Sequence, residues 1–165
     1  FATIHRAENR EPEALAAALA LLDHLATPAR PVILALHPGT RRAAEAAGVR
    51  PGRDVIVVDP QGYRTSLGLQ LHAAAVITDS GGVQREAAWL GTPCLVLRES
   101  TEWLETIAGD AARSVLVGRD PVRAERALAR LAPESSSAQA AAERAIRLNV
   151  APAGAAEAIA AALAT

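Results

Sequence analysis

Ala75-Val76-Ile77-Thr78-Asp79-Ser80-Gly81-Gly82-Val83-Gln84-Arg85-Glu86 is a short β-rich run that stops at a polar, glycine-containing turn and passes at once into an amphipathic helix. The first turn of a helix carries unpaired backbone N–H groups and the positive end of the helix dipole. Two glycines there remove the Cβ atoms that would keep a phosphate away, so a diphosphate can rest on the N–H groups of Ser80, Gly81 and Gly82. Glu86 lies one helical turn beyond Gly82. At that distance a carboxylate no longer meets the phosphates and is placed to accept from the two hydroxyls of a ribose. The plainer reading of the same string is an N-cap followed by a tight bend. On that reading Asp79, beside Ser80, is the capping residue.

Outward from this turn, strand-like and helix-like segments alternate with short connectors. The pattern predicts strands at Ala2–His5, Pro31–Leu36, Val55–Val58, Ala75–Thr78, Cys94–Leu97 and Ser114–Val117. Helices are expected near 11–26, 40–47, 65–73, 82–90, 103–107 and 121–131, with Pro12 in a first turn where no N–H is needed. Such alternation specifies an α/β fold, a Rossmann-like open parallel sheet with helices on both faces. Beyond Ser135 the pattern is helical only, over about 135–147 and 155–163, with Ile146, Leu148, Ile159 and Leu163 as apolar stripes.

At 165 residues the chain is read as one domain, 1–165. Half of it is hydrophobic but only 2% is aromatic, so the core has to come from Ala, Leu, Val and Ile. All 17 basic residues are Arg, scattered among 18 acids for a net charge of −1. No basic stripe suits nucleic acid or an anionic membrane surface. Cys94 is a single cysteine inside an apolar run, which predicts a buried structural thiol and no disulfide. Cys94 and the four histidines have no metal-ligand spacing, and without Lys there is no phosphate-binding loop of the Walker type. No run approaches the length of a membrane span. Phe1-Ala2-Thr3-Ile4 already reads as a strand, which suggests an excised domain with a partner half upstream.

The order Asp-Ser-Gly-Gly-Val-Gln-x-Glu at 79–86, Leu-Gly-Thr-Pro at 90–93 and Leu-Arg-Glu-Ser-Thr-Glu at 97–102 resembles the C-terminal half of the non-hydrolysing UDP-N-acetylglucosamine 2-epimerases. Three further segments match in order: Thr3-Ile4-His5-Arg6-Ala7-Glu8-Asn9, His37-Pro38-Gly39-Thr40-Arg41 and Leu116-Val117-Gly118. The resemblance covers roughly residues 3 to 120. It implies one half of a two-domain GT-B fold, with the N-terminal half absent, and a cytoplasmic isomerase serving cell-envelope polysaccharide. The implied reaction inverts C2 of a UDP-sugar by elimination and re-addition of UDP, with no nicotinamide, metal or other cofactor. It takes its acid and base carboxylates mainly from the missing N-terminal domain, and a homodimer is open to the full-length enzyme.

By the same resemblance His5 stands near the reacting sugar as the catalytic residue of this half. Arg6, His37, Tyr63, Ser80, Gly81, Gly82 and Glu86 hold UDP, and backbone at 60–63 reads the base. His24 and His72 are taken as structural or solvated. One departure bears on the substrate: the family's Thr-Glu-Arg-Pro-Glu is Thr101-Glu102-Trp103-Leu104-Glu105 here. Related epimerases of diacetamido-uronic acid sugar nucleotides also carry Thr-Glu-Trp, so that substrate is an alternative. The segment 149–154 only loosely echoes the family's terminal Asn-Pro-x-Gly-x-Gly loop. A GT-B glycosyltransferase and a non-catalytic sugar-nucleotide sensor are rival classes, separated from an epimerase by what the upstream half contains.

Overall fold

A computed structural model describes residues 1–109 and 112–131; the helices expected beyond 135 and the 149–154 loop lie outside the described residues. The order is β1 (Ala2–Ile4), α1 (Pro12–Leu25), β2 (Val32–Leu36), α2 (Pro38–Ala47), β3 (Val55–Val58), α3 (Tyr63–His72), β4 (Val76–Thr78), α4 (Gly81–Leu90), β5 (Cys94–Val96), β6 (Ser114–Leu116) and α5 (Pro121–Leu131). Single 3-10 turns cover Ala7–Asn9 and Leu104–Thr106. The strands form one parallel sheet in the order β3-β2-β1-β4-β5-β6. The chain thus starts mid-sheet, winds out to β3, crosses back beside β1 and winds out the other way. Between the carboxyl ends of β1 and β4, where the winding reverses, helices leave on opposite faces and a crevice opens.

Helices lie against both faces of the sheet, which favours apolar runs over strict alternation in its strands, although Ile56 and Val57 of the edge strand β3 stay exposed. On one face α1 buries Leu15, Leu19, Leu22 and Leu25 at helical spacing against Ile4, Leu34 and Leu36, and α5 adds Ala124 and Ala127. Each such leucine contributes about 1.5–3 kcal/mol by leaving water. On the other face Ala87 of α4 meets Val76, Cys94 and Val96. Cys94 is wholly buried as expected, and burial pushes its thiol up to about 12. His24 is solvated as expected, pairing at 3.1 Å with Glu125 on α5, and His72 ends α3 on the surface.

Three helices depart from the sequence pattern by more than a one-residue shift at an end. Helix α2 starts at Pro38 because His37 caps it, its Nδ1 accepting from Gly39 N at 3.1 Å. Helix α3 starts at Tyr63, after Gly62 in extended conformation. The helix expected at 103–107 is only the turn Leu104–Thr106, since Trp103 (φ −99, ψ 66) is not helical. Helix α4 ends as its sequence predicts: Gly91 takes φ 74, a left-handed value natural to glycine, and Pro93 launches β5.

Candidate functional site

The carboxyl ends of β1 and β4 meet through one buried carboxylate. Asp79 is inaccessible to solvent. Its Oδ2 accepts from Arg6 N at 2.9 Å, Asn9 Nδ2 at 3.0 Å and His5 N at 3.1 Å. Its Oδ1 stands 3.0 Å from His5 Nδ1. Burial by itself raises the Asp79 pKa, but the hydrogen bonds from His5, Asn9 and the Arg6 backbone outweigh it and hold the carboxyl below its ordinary range. Asn9 is fixed in turn by Arg119, whose Nη1 donates to Asn9 Oδ1 at 2.7 Å. The expectation that Asp79 caps α4 is therefore corrected. Ser80 is the cap, its Oγ accepting from Val83 N at 3.3 Å. An ionised carboxylate only accepts, so the neutral His5 ring keeps its proton on Nδ1 and presents Nε2 as a base. His5 is 45% exposed, enough for a ligand to reach it.

His5, His37 and Ser80 line one cavity of about 260 Å³ together with Gln61 and Ser66. Tyr63, Gly82 and Glu86 line a second, of about 380 Å³, with Arg85 and Trp103. The amino end of α4 stands between them. Tyr63 is 67% exposed. Glu86 accepts from Gln70 Nε2 at 2.7 Å through Oε2, which leaves Oε1 for a hydroxyl donor. A third cavity, of about 320 Å³, lies at the amino ends of the strands among Phe1, Val32 and Ala75. Its wall is mainly apolar, and it lies at the wrong end of the sheet for a ligand crevice.

The glycine turn is built differently from the simplest reading. A Cβ on Gly82 would meet only Ser80 Oγ, at 3.7 Å, so this position is open. A Cβ on Gly81 would lie 2.5 Å from Trp103 Nε1 and 2.9 Å from Glu102 Oε1. Gly81 is thus small to admit a protein side chain, and the open approach for a phosphate is at Gly82. Arg85 stacks on the same indole, 4.2 Å from its centroid. Gln84 is buried and clamps the loop that presents Trp103, donating to Thr106 Oγ1 at 2.6 Å and accepting from Thr101 Oγ1 at 2.9 Å. Arg6 reaches neither cavity wall; its Nη2 donates to Glu102 at 3.4 Å.

Several of these contacts have no sequence signature. Asp79 and His5 are 74 positions apart, and Arg6 and Glu102 are 96 apart. Only the placement of β1 beside β4, with β5 next in the sheet, brings them together. Thr40 is legible in hindsight: it is buried in the first turn of α2 and donates to the Ile4 carbonyl at 2.7 Å, tying the His37 turn to the end of β1.

The family model described as UDP-N-acetylglucosamine 2-epimerase matches residues 1–163. A UDP-2,3-diacetamido-2,3-dideoxy-D-glucuronate 2-epimerase of Pseudomonas aeruginosa is 42% identical over 119 residues, covering 72% of this chain and 32% of that protein. A UDP-N-acetylglucosamine 2-epimerase of Methanococcus maripaludis is 35% identical over 125 residues, covering 72% and 34%. Among solved structures, UDP-GlcNAc 2-epimerase from Methanocaldococcus jannaschii superposes with TM-score 0.72 at 27% identity, over 89% of this chain and 44% of that one. The chain spans about a third of the length of the curated relatives it matches. Its sheet and helices are the Rossmann-like arrangement of those GT-B epimerases. No helix of the described residues is long and apolar enough to cross a membrane. The chain belongs to the UDP-N-acetylglucosamine 2-epimerase family.

Proposed function

We infer that residues 1–165 form the UDP-holding domain of an epimerase that interconverts UDP-N-acetylglucosamine and UDP-N-acetylmannosamine. The observation that carries this reading is the Ser80-capped start of α4, open at Gly82, set against His5 across the switch point of the sheet. The M. jannaschii relative has a structure in complex with UDP-GlcNAc and UDP. On this reading the Ser80 hydroxyl and the N–H groups of Gly81 and Gly82 receive the diphosphate, the Ser80 N–H being held by Thr78 Oγ1 at 3.0 Å, while Glu86 takes the ribose hydroxyls and His37 and Tyr63 border the base. Arg6 adds positive charge. A base removes the C2 proton, the C1–O bond breaks with its electron pair leaving on UDP, and a glycal remains. Return of UDP to C1 and of a proton to the other face of C2 completes the inversion. The carboxylates for proton transfer come from the upstream domain. This chain stabilises the leaving diphosphate with preoriented donors and places His5 beside the sugar.

A second reading, with a diacetamido-glucuronate nucleotide as substrate, draws on the 42% identity to the P. aeruginosa enzyme and on Trp103 at a position the main pattern fills with Arg. The test is turnover of both nucleotides by the full-length protein in deuterated water, followed by NMR. Epimerisation with deuterium entering at C2 is expected, and the faster nucleotide decides between the readings. Sugar transfer to an acceptor without C2 exchange would refute both.

A further inference from the structure

The Glu102 carboxylate lies where an anion is best accommodated. It accepts from Arg98 Nη1 at 2.7 Å through Oε2 and from Arg6 Nη2 at 3.4 Å through Oε1. Oε1 also stands 2.9 Å from the place a Cβ on Gly81 would take, against the first turn of α4. Its own backbone N–H and then Arg98 hold the carboxyl below its ordinary range, so it is ionised at neutral pH. Two guanidinium groups and a helix amino end concentrate positive charge here, and Glu102 is the acid that pairs with both arginines. The mobilities differ. Arg98 is 13% exposed and held by its surroundings, whereas Glu102 is 49% exposed and has room to swing out.

We propose that Glu102 and the ligand's diphosphate compete for this cationic cradle, with Glu102 swinging away as the ligand enters and Arg98 and Arg6 passing from the carboxylate to the phosphate oxygens. The proposal rests on the diphosphate reading above and extends it: Arg98 becomes a phosphate-binding residue and Glu102 a displaceable counter-charge. Arginine suits the exchange because its planar fork meets carboxylate and phosphate in the same bidentate geometry. A phosphate oxygen at the cradle keeps the arginines neutralised, so the release of Glu102 to water costs little. Were Glu102 only a surface ion-pair partner, ligand affinity would be indifferent to its charge.

The full-length protein, as wild type, Glu102→Gln, Arg98→Ala and the double variant, is titrated with UDP and with uridine by calorimetry, with melting temperatures recorded alongside. Glu102→Gln keeps the shape and removes the charge. It should tighten UDP by roughly two- to five-fold at low salt, the range that exposed ion pairs span. Uridine affinity should stay unchanged. Arg98→Ala should weaken UDP but not uridine and should erase the gain from Glu102→Gln in the double variant. A wild type that prefers UDP, combined with a Glu102→Gln variant that melts normally and binds UDP no better, overturns this proposal alone. Equal wild-type affinities for UDP and uridine would remove the diphosphate reading and this proposal with it.

Discussion

Replacing Asp79 by Asn tests the junction on which the site depends. The carboxylate receives two backbone N–H groups, the Asn9 amide and the His5 ring, all donors. Asparagine has one acceptor oxygen and a donor NH2 group of the same shape. With its oxygen toward Arg6 N and Asn9, its NH2 faces His5, where the ring must change tautomer to accept. Two charge-assisted hydrogen bonds are lost or reversed, at about 1.5 kcal/mol or more each, so a destabilisation of about 3 kcal/mol is expected. Domains of this kind are stable by about 5–15 kcal/mol, so the variant should still fold.

The pH dependence supplies an independent sign. The folded-state pKa of Asp79 lies below its ordinary value. Its contribution is therefore fully present above the unfolded pKa of about 3.9 and is lost as pH falls through the folded value. Wild type should lose stability in acid over that window, and Asp79→Asn should lose less, because the titrating group is gone. Urea denaturation of both proteins at neutral pH and at steps toward acid measures this, with kcat on UDP-N-acetylglucosamine as the companion readout. Turnover should drop more than UDP affinity, because the altered ring is His5 and the phosphate donors are untouched. A variant within about 0.5 kcal/mol of wild type, with the same acid slope, would refute the role given to Asp79.

Three other substitutions address the ligand side. Gly81→Ala places a Cβ 2.5 Å from Trp103 Nε1, so the indole must move; Trp fluorescence should shift and UDP affinity fall, and an unchanged spectrum would mean the contact is not maintained in solution. Glu86→Ala should weaken UDP and uridine alike, by about 1.5–3 kcal/mol for a charge-assisted partner of the ribose; an effect on UDP alone would move Glu86 to the phosphates. Trp103→Arg exchanges the cation–π contact with Arg85, worth about 0.5–1 kcal/mol, for like-charge repulsion. It should shift the ratio of turnover between N-acetylglucosamine and diacetamido-glucuronate nucleotides, and a wild-type ratio with wild-type melting would remove Trp103 from substrate choice.

The strands were legible because a parallel sheet with helices on both faces writes itself as short apolar runs between turn residues, and even the partly exposed edge strand Val55–Val58 falls where the pattern put it. The start of α2 was not legible, since histidine is outside the usual set of capping residues and His37 hides the boundary. Asp79 fails for a related reason. Asp and Ser side by side are both good caps, and nothing local decides between them. The choice is made by His5, Arg6 and Asn9 in the segment that follows β1, 70 to 74 positions away. Gly81 and Trp103 show the same limit from the other side. A glycine at a helix start reads as space for a ligand, yet the space is taken by an indole from a loop that Gln84 holds down. Sequence therefore located the end of the sheet where the polar residues gather. Deciding which of them brace one another required β1, β4 and β5 side by side. Glu102 extends that argument, since a carboxylate between two arginines at a phosphate-type helix end has meaning only once all three are seen to converge.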